Sequence, residues 1–262
     1  MQTLLVREDK GVLFVTLDRP DVRNAMSQLM VSELRHVFRE VAALTSIRTV
    51  VLRGAGEHFC SGGDIADMAD ARARLGGQND PFHELSRAFG LLLSEVRTTP
   101  AVVVCALEGS VMGGGLGLAC VCDVALARRD ARFGLPETSL GVIPAQIAPF
   151  LVERIGQSYT RYLTLTGRRF GGEEAYRMGL VHALADGSRE LDALLNGTLE
   201  QIRRCAPNAN RVTKDLILGV GQMSGEDMLA HAAHRFAAAC VSDEALEGGV
   251  AFLQKRAPSW AE

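Results

Sequence analysis

Apolar and polar residues alternate along the first half of the chain with two different periods. Short, β-branched apolar runs occupy residues 12–17, 49–53 and 101–107, and such runs are typical of buried strands. After Ser27, a good N-cap, and again over residues 82–96, apolar residues recur every three or four positions, which predicts two amphipathic helices. This order of strands and helices predicts an α/β fold with one main core.

The second half of the chain changes character near residue 190. A glycine turn opens a predicted buried helix over residues 113–122, and a short strand follows at 123–127. The later helical periods predict helices over residues 191–205, 211–220, 226–240 and 243–255. We therefore divide the chain into a core, residues 1–190, and a helical C-terminal region, residues 191–262. Such a helical end is either an oligomerisation element or a layer that packs on its own core, and the pattern leaves both open.

Residues 66–80 show no apolar period. They alternate Ala, Arg and Asp and end in Gly-Gly-Gln-Asn-Asp, a composition that favours a mobile surface excursion over packed core. The segment is a candidate lid.

Composition places the chain among soluble globular proteins. Of its 262 residues, 47 % are hydrophobic and 23 % are charged. The formal net charge of −3 argues against a protein whose main work is to hold nucleic acid, although a local basic patch would escape this test. The first ten residues carry charges, and no run of about 18 apolar residues follows them. We therefore expect a cytoplasmic protein with no nucleic-acid and no membrane partner.

Residues of the metal-ligating types show no metal-site spacing. None of the six cysteines belongs to a C-x-x-C pair, and most lie in apolar surroundings typical of buried, reduced thiols. His231 and His234 are three positions apart on a predicted helix, but no third ligand lies near them in the sequence. We interpret both as packing or surface residues, and the sequence predicts no metal site.

Three consecutive glycines, Gly113 to Gly115, stand at the start of the predicted buried helix. The first backbone N–H groups of a helix have no partner within it and lie at the positive end of its dipole, so they can hold an oxyanion. A turn or a close helix contact would explain the same cluster. A dinucleotide site is disfavoured, because Cys120 stands where the third glycine of G-x-G-x-x-G would follow Gly115 and Gly117.

Further motifs give the glycine cluster a context. The motif F-x-S-G-G-D at residues 59–64 and the motif G-x-x-x-G-G-G at 109–115 are similar to the paired signatures of the enoyl-CoA hydratase/isomerase (crotonase) superfamily. The segments that follow in that family's order are 122–123, 131–137, 140–144, 165–167, 179–181 and 247–256. The resemblance covers nearly the whole chain. It implies a crotonase (ClpP/crotonase-like) fold, which is a spiral of ββα units with an α-helical C-terminal oligomerisation region, assembled as a homotrimer or a dimer of trimers.

The resemblance also implies roles for particular residues. The N–H groups of Gly63 and Gly114 form a hole that polarises a thioester carbonyl, and Glu137 is the acid/base group that faces the substrate α- and β-carbons. The partner is an acyl-CoA substrate, and coenzyme A is part of that substrate, so no separate cofactor is expected. The residues implied for binding coenzyme A are Arg23, Ser61, Gly62, Asp64, Ile65, Phe252 and Lys255.

Gly117 departs from the pattern of many hydratases of this family. Those hydratases read Gly-Gly-Gly-x-Glu here and use the additional glutamate to help hold and activate water, whereas this chain has no carboxylate at the position. Either Glu137 alone takes a proton from water and returns it to carbon, or it shuttles one proton between carbons, as in a Δ3,Δ2-enoyl-CoA isomerase. A third alternative is a non-catalytic acyl-CoA or RNA-binding relative, and the intact Glu137 and the two glycines argue against it.

Two segments favour hydration. Residues 113–118, Gly-Gly-Gly-Leu-Gly-Leu, and residues 140–150 resemble the hydratases that act on branched glutaconyl-CoA esters, namely 3-methylglutaconyl-CoA and especially isohexenylglutaconyl-CoA. Ala145 also stands where dienoyl-CoA isomerases and aryl-CoA dehalogenase carry a functional aspartate. We therefore expect an enoyl-CoA hydratase that adds water to the α,β double bond of a branched, acidic enoyl-CoA, in terpene or leucine catabolism.

Overall fold

The computed structural model of the chain, which describes residues 1–77 and 80–261, contains two β-sheets. Its strands are β1 (Leu4–Asp9), β2 (Val12–Leu17), β3 (Thr49–Gly54), β4 (Val102–Leu107), β5 (Ser110–Met112), β6 (Val124–Arg128), β7 (Arg132–Gly134), β8 (Arg169–Gly171) and β9 (Ala183–Ala185). The larger sheet has the order β1-β2-β3-β4-β6-β9, and the smaller has the order β5-β7-β8.

Most of the larger sheet is parallel. Strand β1 pairs with β2 in the antiparallel sense, and each later pair, from β2–β3 to β6–β9, is parallel. Parallel strands need crossover connections, and these connections cover both faces of the sheet. Strands β3 and β4 are accordingly buried along almost their whole length. This explains why residues 49–53 and 101–107 are continuous apolar runs without alternation.

Helices follow the strands throughout the chain. They are α1 (Gln28–Ala43), α2 (Ile65–Ala73), α3 (Pro81–Thr98), α4 (Gly114–Val121), α5 (Ala148–Thr166), α6 (Gly172–Arg177), α7 (Ser188–Arg204), α8 (Pro207–Leu218), α9 (Gly225–Cys240) and α10 (Asp243–Gln254). Ser27 caps α1, because its side chain accepts a hydrogen bond from the Met30 N–H. No helix in the described part of the chain is both long and apolar enough to cross a bilayer.

Two apolar layers hold the helices to the larger sheet. The main core joins one face of the sheet, including Leu52 and Leu107, to buried side chains of α1, α3 and α4. The second layer joins the other face, including Val104 and Leu126, to Leu191 and Leu195 of α7. The α/β prediction and the predicted strands and helices named above are therefore confirmed.

The predicted surface excursion, residues 66–80, contains a regular helix in its first half, and within that helix only Ala71 is buried. Residues Ile65–Ala73 form α2, and the Asp64 carboxylate caps the helix by accepting from the Ala66 N–H at 2.8 Å. Alanine and arginine are strong helix formers, so the composition that suggested an excursion supports a helix once a cap is present. Gln78 and Asn79, within the same predicted segment, lie outside the described residues.

The side chains of the C-terminal helices are much more exposed than those of the core. The predicted boundary at residue 190 falls inside α7, which packs on the sheet, so the exposed part begins at α8. In α8 and α9, both described throughout, no side chain is buried, and in α10 only Ala251 is. The large apolar side chains that stay exposed there are Ile217, Leu229, Phe236, Leu246, Phe252 and Leu253. The tail therefore does not use these side chains to pack on its own core.

The cationic side chain of Lys214 attaches the tail to the N-terminal ends of two strands. Lys214 donates to the Asp123 carboxylate at 2.6 Å and to the Ala101 carbonyl at 3.0 Å. The same Asp123 oxygen accepts from the Val103 N–H of β4 at 2.7 Å. One half-buried ammonium thus links α8 to the start of two neighbouring strands.

We expect Lys214→Met to lower the free energy of unfolding by about 1–3 kcal/mol, because the hydrogen bonds of a charged donor are lost and Asp123 loses its counter-ion. Urea denaturation followed by circular dichroism measures the change. Lys10→Met, at an exposed position, is the matched control and should stay within about 0.5 kcal/mol of the wild type. Equal losses in the two variants would contradict the anchoring role.

Candidate active site

Two loops run side by side at the C-terminal ends of the central strands. The first loop is residues 55–64, which follow β3, and the second loop is residues 108–113, which follow β4 and include β5. A parallel bridge pairs Cys60 with Val111, so that the Cys60 N–H donates to the Ser110 carbonyl and the Met112 N–H donates to the Cys60 carbonyl, both at 2.9 Å. The same register, continued for two residues, sets Gly62 beside Gly113, and Gly63 and Gly114 are the next residues of the two segments. A Cβ placed on Gly113 would lie 3.5 Å from the Gly62 Cα, which shows how closely the two backbones approach.

Glycine is required at several points of this approach. Gly62 and Gly113 have φ values of +107° and +47°, which side chains disfavour. A Cβ on Gly115 would lie 2.6 Å from the Cys60 Cβ, so α4 can begin against the first loop only with a bare Cα there. The interpretation of the cluster as a close backbone contact is therefore correct, and it is also the condition for the anion site.

The N–H groups of Gly63 and Gly114 are available to a ligand. Within the described residues neither donates to a protein oxygen, whereas the neighbouring Gly113 N–H donates to the Gly134 carbonyl at 3.0 Å. Gly63 is exposed, and Gly114, the first residue of α4, is partly exposed at the positive end of that helix. Two free donors on adjacent segments can both donate to an oxyanion that lies between them.

Glu137 lies directly over this glycine contact. It begins a 3₁₀ turn, Glu137–Leu140, and its Oε1 is 2.9 Å from the position of a Cβ on Gly113. Its Oε2 is buried and has no hydrogen-bond partner among the described residues. Burial raises the pKa of the Glu137 carboxyl, and a hydrogen bond from its own backbone N–H opposes the shift only in part. An unpaired carboxyl with a raised pKa is suited to reversible proton transfer.

Apolar side chains fill the place of the additional glutamate. Gly117 is buried, and a Cβ there would lie 3.1 Å from Ile147 Cγ1, 3.4 Å from Phe89 Cζ and 3.5 Å from Leu93 Cδ1. The Phe89 ring also covers Gly114, at 3.3 Å from the position of its Cβ. The apolar period predicts the helix that carries Phe89, but it does not show that Phe89 and Ile147 border the site. The one signal for this was an isolated glycine inside an apolar helix.

Contacts of Gln146 with α3 hold the segment between Glu137 and α5 in place, next to Ile147. Gln146 packs against the bare Cα of Gly90, where a Cβ would collide with its amide. The Gln146 amide nitrogen also donates to the Ser86 hydroxyl at 3.2 Å. Two adjacent residues thus each cover a glycine on a different helix. Gln146 covers Gly90 of α3, and Ile147 covers Gly117 of α4.

Most of the residues implied for coenzyme A gather beside Gly63. The Arg23 carbonyl accepts from the Ser61 N–H at 3.0 Å, and Gly62 links Ser61 to the hole. The Arg23 side chain and Ile65 are exposed there. Asp64 is different, because its carboxylate is buried, binds Arg19 at 2.6 Å and caps α2. Burial, the largest single effect, raises the Asp64 pKa, but the hydrogen bonds from Arg19 and from the backbone of Ala66 and Asp67, together with the Arg19 charge, outweigh it and the net shift is downward.

The structure does not bring Phe252 and Lys255 to this group. They lie at the end of α10, whose Gly248 packs on Trp260, and the Trp260 carbonyl accepts from Arg48 at the start of β3. The glycine loop follows the other end of β3. Among the described residues no hydrogen bond or ion pair joins Phe252 or Lys255 to the hole, so their role stays a prediction. No group of three or more His, Cys, Asp or Glu side chains suited to a metal ion occurs in residues 1–77 and 80–261.

Comparison with known proteins identifies this arrangement. The family model described as enoyl-CoA hydratase/isomerase matches residues 7–262. The chain belongs to this enoyl-CoA hydratase/isomerase family. A crystal structure of an enoyl-CoA hydratase/isomerase from Marinobacter aquaeolei is 51 % identical with a TM-score of 0.97, covering 100 % of both chains. The crotonase fold expected from the motifs is therefore confirmed.

Two further relatives show the range of this similarity. The structure of Pseudomonas aeruginosa AtuE is 53 % identical with a TM-score of 0.96 and covers 99 % of this chain and 100 % of that one. The Escherichia coli protein 2,3-dehydroadipyl-CoA hydratase is 30 % identical over 263 residues, covering 99 % of each chain. Membership of the family, with such relatives, makes the chain an enzyme of the enoyl-CoA hydratase kind.

The raised pKa of Glu137 predicts a pH-dependent stability difference between the wild type and Glu137→Gln. The folded chain holds a proton that the unfolded chain, at the ordinary value of 4.5, releases. The contribution of this group is therefore complete below that value and is lost as the pH rises through the raised pKa. Glu137→Gln removes the group, so its free energy of unfolding relative to the wild type should be more favourable at pH 7 than at pH 4. Urea denaturation at both pH values tests this, and an unchanged difference would show that burial does not perturb the carboxyl.

Proposed function

We propose that the chain hydrates the α,β double bond of a branched glutaconyl-CoA-type thioester, with Glu137 as its only carboxylate acid/base. One observation carries the proposal. The Glu137 carboxyl, with a buried oxygen that no described residue binds, lies over Gly113, the residue before one of the two free N–H groups, and apolar side chains fill the position of a further carboxylate.

The geometry supports a two-step addition. The thioester carbonyl oxygen accepts from the N–H groups of Gly63 and Gly114, which draws electrons toward it and makes the β-carbon electrophilic. The Glu137 carboxylate takes one proton from a water molecule while the water oxygen bonds to the β-carbon and the double-bond electrons move to give an enolate. Glu137 then returns that proton to the α-carbon. The bound group gains the elements of one water molecule, and Glu137 ends as a carboxylate again.

Apolar surroundings favour a branched hydrocarbon acyl group. Phe89 and Ile147 form a wall along the first turn of α4, and Leu140 and Ile143 are exposed on the segment that follows Glu137. The assignment of a free carboxyl group to the acyl chain rests on the resemblance of residues 113–118 and 140–150 to hydratases of branched glutaconyl-CoA esters. A relative whose name denotes a hydratase of a dicarboxylic acyl-CoA, 2,3-dehydroadipyl-CoA hydratase, fits this choice.

The binding of coenzyme A is proposed to need another copy of the chain. Phe252 and Lys255 lie at the opposite end of β3 from Gly63, and the exposed apolar side chains of α8 to α10 are suited to contact a neighbouring copy. A homotrimer or a dimer of trimers would bury them. In that assembly Arg23, Ser61 and Ile65 of one copy and Lys255 of the next would hold the nucleotide, and coenzyme A would enter and leave as part of the substrate.

The second candidate is a Δ3,Δ2-enoyl-CoA isomerase, which the single carboxylate favours because shuttling one proton between carbons needs one base. Product analysis in H₂¹⁸O and D₂O separates the two reactions. A hydratase incorporates ¹⁸O at the β-carbon, whereas an isomerase exchanges deuterium at the α- and γ-carbons without incorporating oxygen. Binding of an acyl-CoA with neither change would support a non-catalytic relative.

We expect Glu137→Gln to lower kcat/KM for isohexenylglutaconyl-CoA or 3-methylglutaconyl-CoA by about 10²- to 10⁴-fold, because proton transfer in both steps is lost. Steady-state hydration kinetics and ¹⁸O incorporation measure the effect. Glu84→Gln, at an exposed position, is the matched control and should remain within about twofold of the wild type. A folded Glu137→Gln variant as fast as the wild type would exclude this mechanism.

Restoring a carboxylate by Gly117→Glu should not restore a two-carboxylate site. The side chain would meet Ile147 and Phe89 in a buried position, and overpacking of this kind costs about 1–3 kcal/mol of stability. We expect Gly117→Glu to melt at a lower temperature and not to rescue the Glu137→Gln variant. Gly117→Ala, whose Cβ requires Ile147 Cγ1 to move by only a few tenths of an ångström from 3.1 Å, is the milder control and should keep activity. Rescue of the Glu137→Gln variant by Gly117→Glu would show that Phe89 and Ile147 move aside for the new carboxylate.

A further inference from the structure

His58 lies where the two loops of the site first meet. Its Nδ1 accepts a hydrogen bond from the Ser110 N–H at 3.1 Å, and its own carbonyl accepts from the Asn24 side-chain amide at 2.7 Å. From this point the loops stay joined by backbone hydrogen bonds as far as the Cys60–Val111 bridge, beginning with the Phe59 N–H that donates to the Glu108 carbonyl at 2.8 Å. Among the described residues, the imidazole thus supplies the one side-chain hydrogen bond in this series.

The backbone of the second loop is shaped to receive the ring. Gly109 has a φ of +54°, and a Cβ there would collide with His58 Nδ1 and with the Glu57 carbonyl. The bare Cα therefore lets the imidazole reach the next residue, Ser110. Ser110 begins β5, the strand of three residues that leads directly to Gly113. A shift of the Ser110 backbone therefore reaches Gly113 and Gly114 through only two residues, Val111 and Met112.

A side-chain acceptor is needed because the neighbouring backbone acceptors have other donors. The Gly109 carbonyl accepts from the Arg132 N–H at 2.7 Å, and the Ser110 carbonyl accepts from the Cys60 N–H at 2.9 Å. Within the described residues the Ser110 N–H has Nδ1 of His58 as its acceptor. Without it, a partly buried backbone donor would be left unpaired, which a structure relieves by moving the backbone.

We propose that His58 is a positioning residue for the oxyanion hole. By accepting the Ser110 N–H at Nδ1, it sets the spacing between the Gly63 N–H on one loop and the Gly114 N–H on the other. It acts through the backbone and does not touch the substrate. The inference rests on the proposed function only in that a thioester oxygen is what the two N–H groups bind.

Three variants separate the acceptor from the bulk of the side chain. In His58→Asn the amide oxygen stands two bonds from Cβ, as Nδ1 does in histidine, so the hydrogen bond can be kept. In His58→Gln the amide oxygen stands one bond farther out, so a polar amide is present but the acceptor is displaced. His58→Leu has no acceptor. Melting temperatures of all three report whether stability changes with activity.

Two readouts test the spacing. The first is kcat and KM for hydration of the enoyl-CoA substrate. The second is the near-ultraviolet absorbance of acetoacetyl-CoA, whose enolate forms in an oxyanion hole without any addition of water. We expect His58→Leu and His58→Gln to lower kcat by about 10- to 100-fold with little change in KM, since the bonds to the oxyanion strengthen in the transition state. The bound enolate fraction should fall with kcat, and His58→Asn should recover both to within about threefold of the wild type.

The proposal is overturned if His58→Leu keeps kcat and the enolate signal within about twofold of the wild type. It is also overturned if folded His58→Asn is no better than folded His58→Gln, a comparison that remains when His58→Leu fails to fold. A wild-type protein that binds acetoacetyl-CoA as the enolate but hydrates no enoyl-CoA would refute the proposed function. The enolate comparison among the variants would still decide the role of His58.

Discussion

The close parallel contact between residues 60–63 and residues 111–114 is the constraint on which the rest of the site depends. Strands β3 and β4 are parallel neighbours, so the loops that follow them leave the sheet at the same end. The contact can form only where glycines remove side chains, and it leaves two N–H groups without acceptors among the described residues. Backbone amides held by a sheet on one side and a buried helix on the other need little reorganisation when charge develops on a bound oxygen.

The parts of the fold with a local physical signal were predictable from the sequence. Buried parallel strands are apolar throughout, so residues 49–53 could be assigned without any partner, and Ser27 marks the start of α1 through a hydrogen bond three residues away. Strands β7, β8 and β9 have three residues each and owe their existence to partners far along the chain. Such strands carry no period that a sequence window can detect. Helix α2 was missed because its cap, Asp64, had been considered only as a ligand-binding residue.

The candidate site divides in the same way. The glycines and Glu137 could be assigned because each belongs to a motif with a fixed spacing, and the structure brings them together. Phe89 and Ile147 could not, because they reach Gly117 from two other elements and nothing local marks the contact. Phe252 and Lys255 show a further limit, since a motif gives the type of a residue but not the end of the molecule at which it lies.

The seating of Gln146 and Ile147 against Gly90 and Gly117 has a consequence for how this chain can diverge. Each glycine is acceptable because a particular side chain covers it, and each side chain fits because a particular glycine is bare. A change to a site with two carboxylates would therefore have to pass through a sequence with either a cavity or a collision at α4. Neighbouring positions that constrain one another in this way have to change together, so a carboxylate at position 117 is reachable only through paired substitutions.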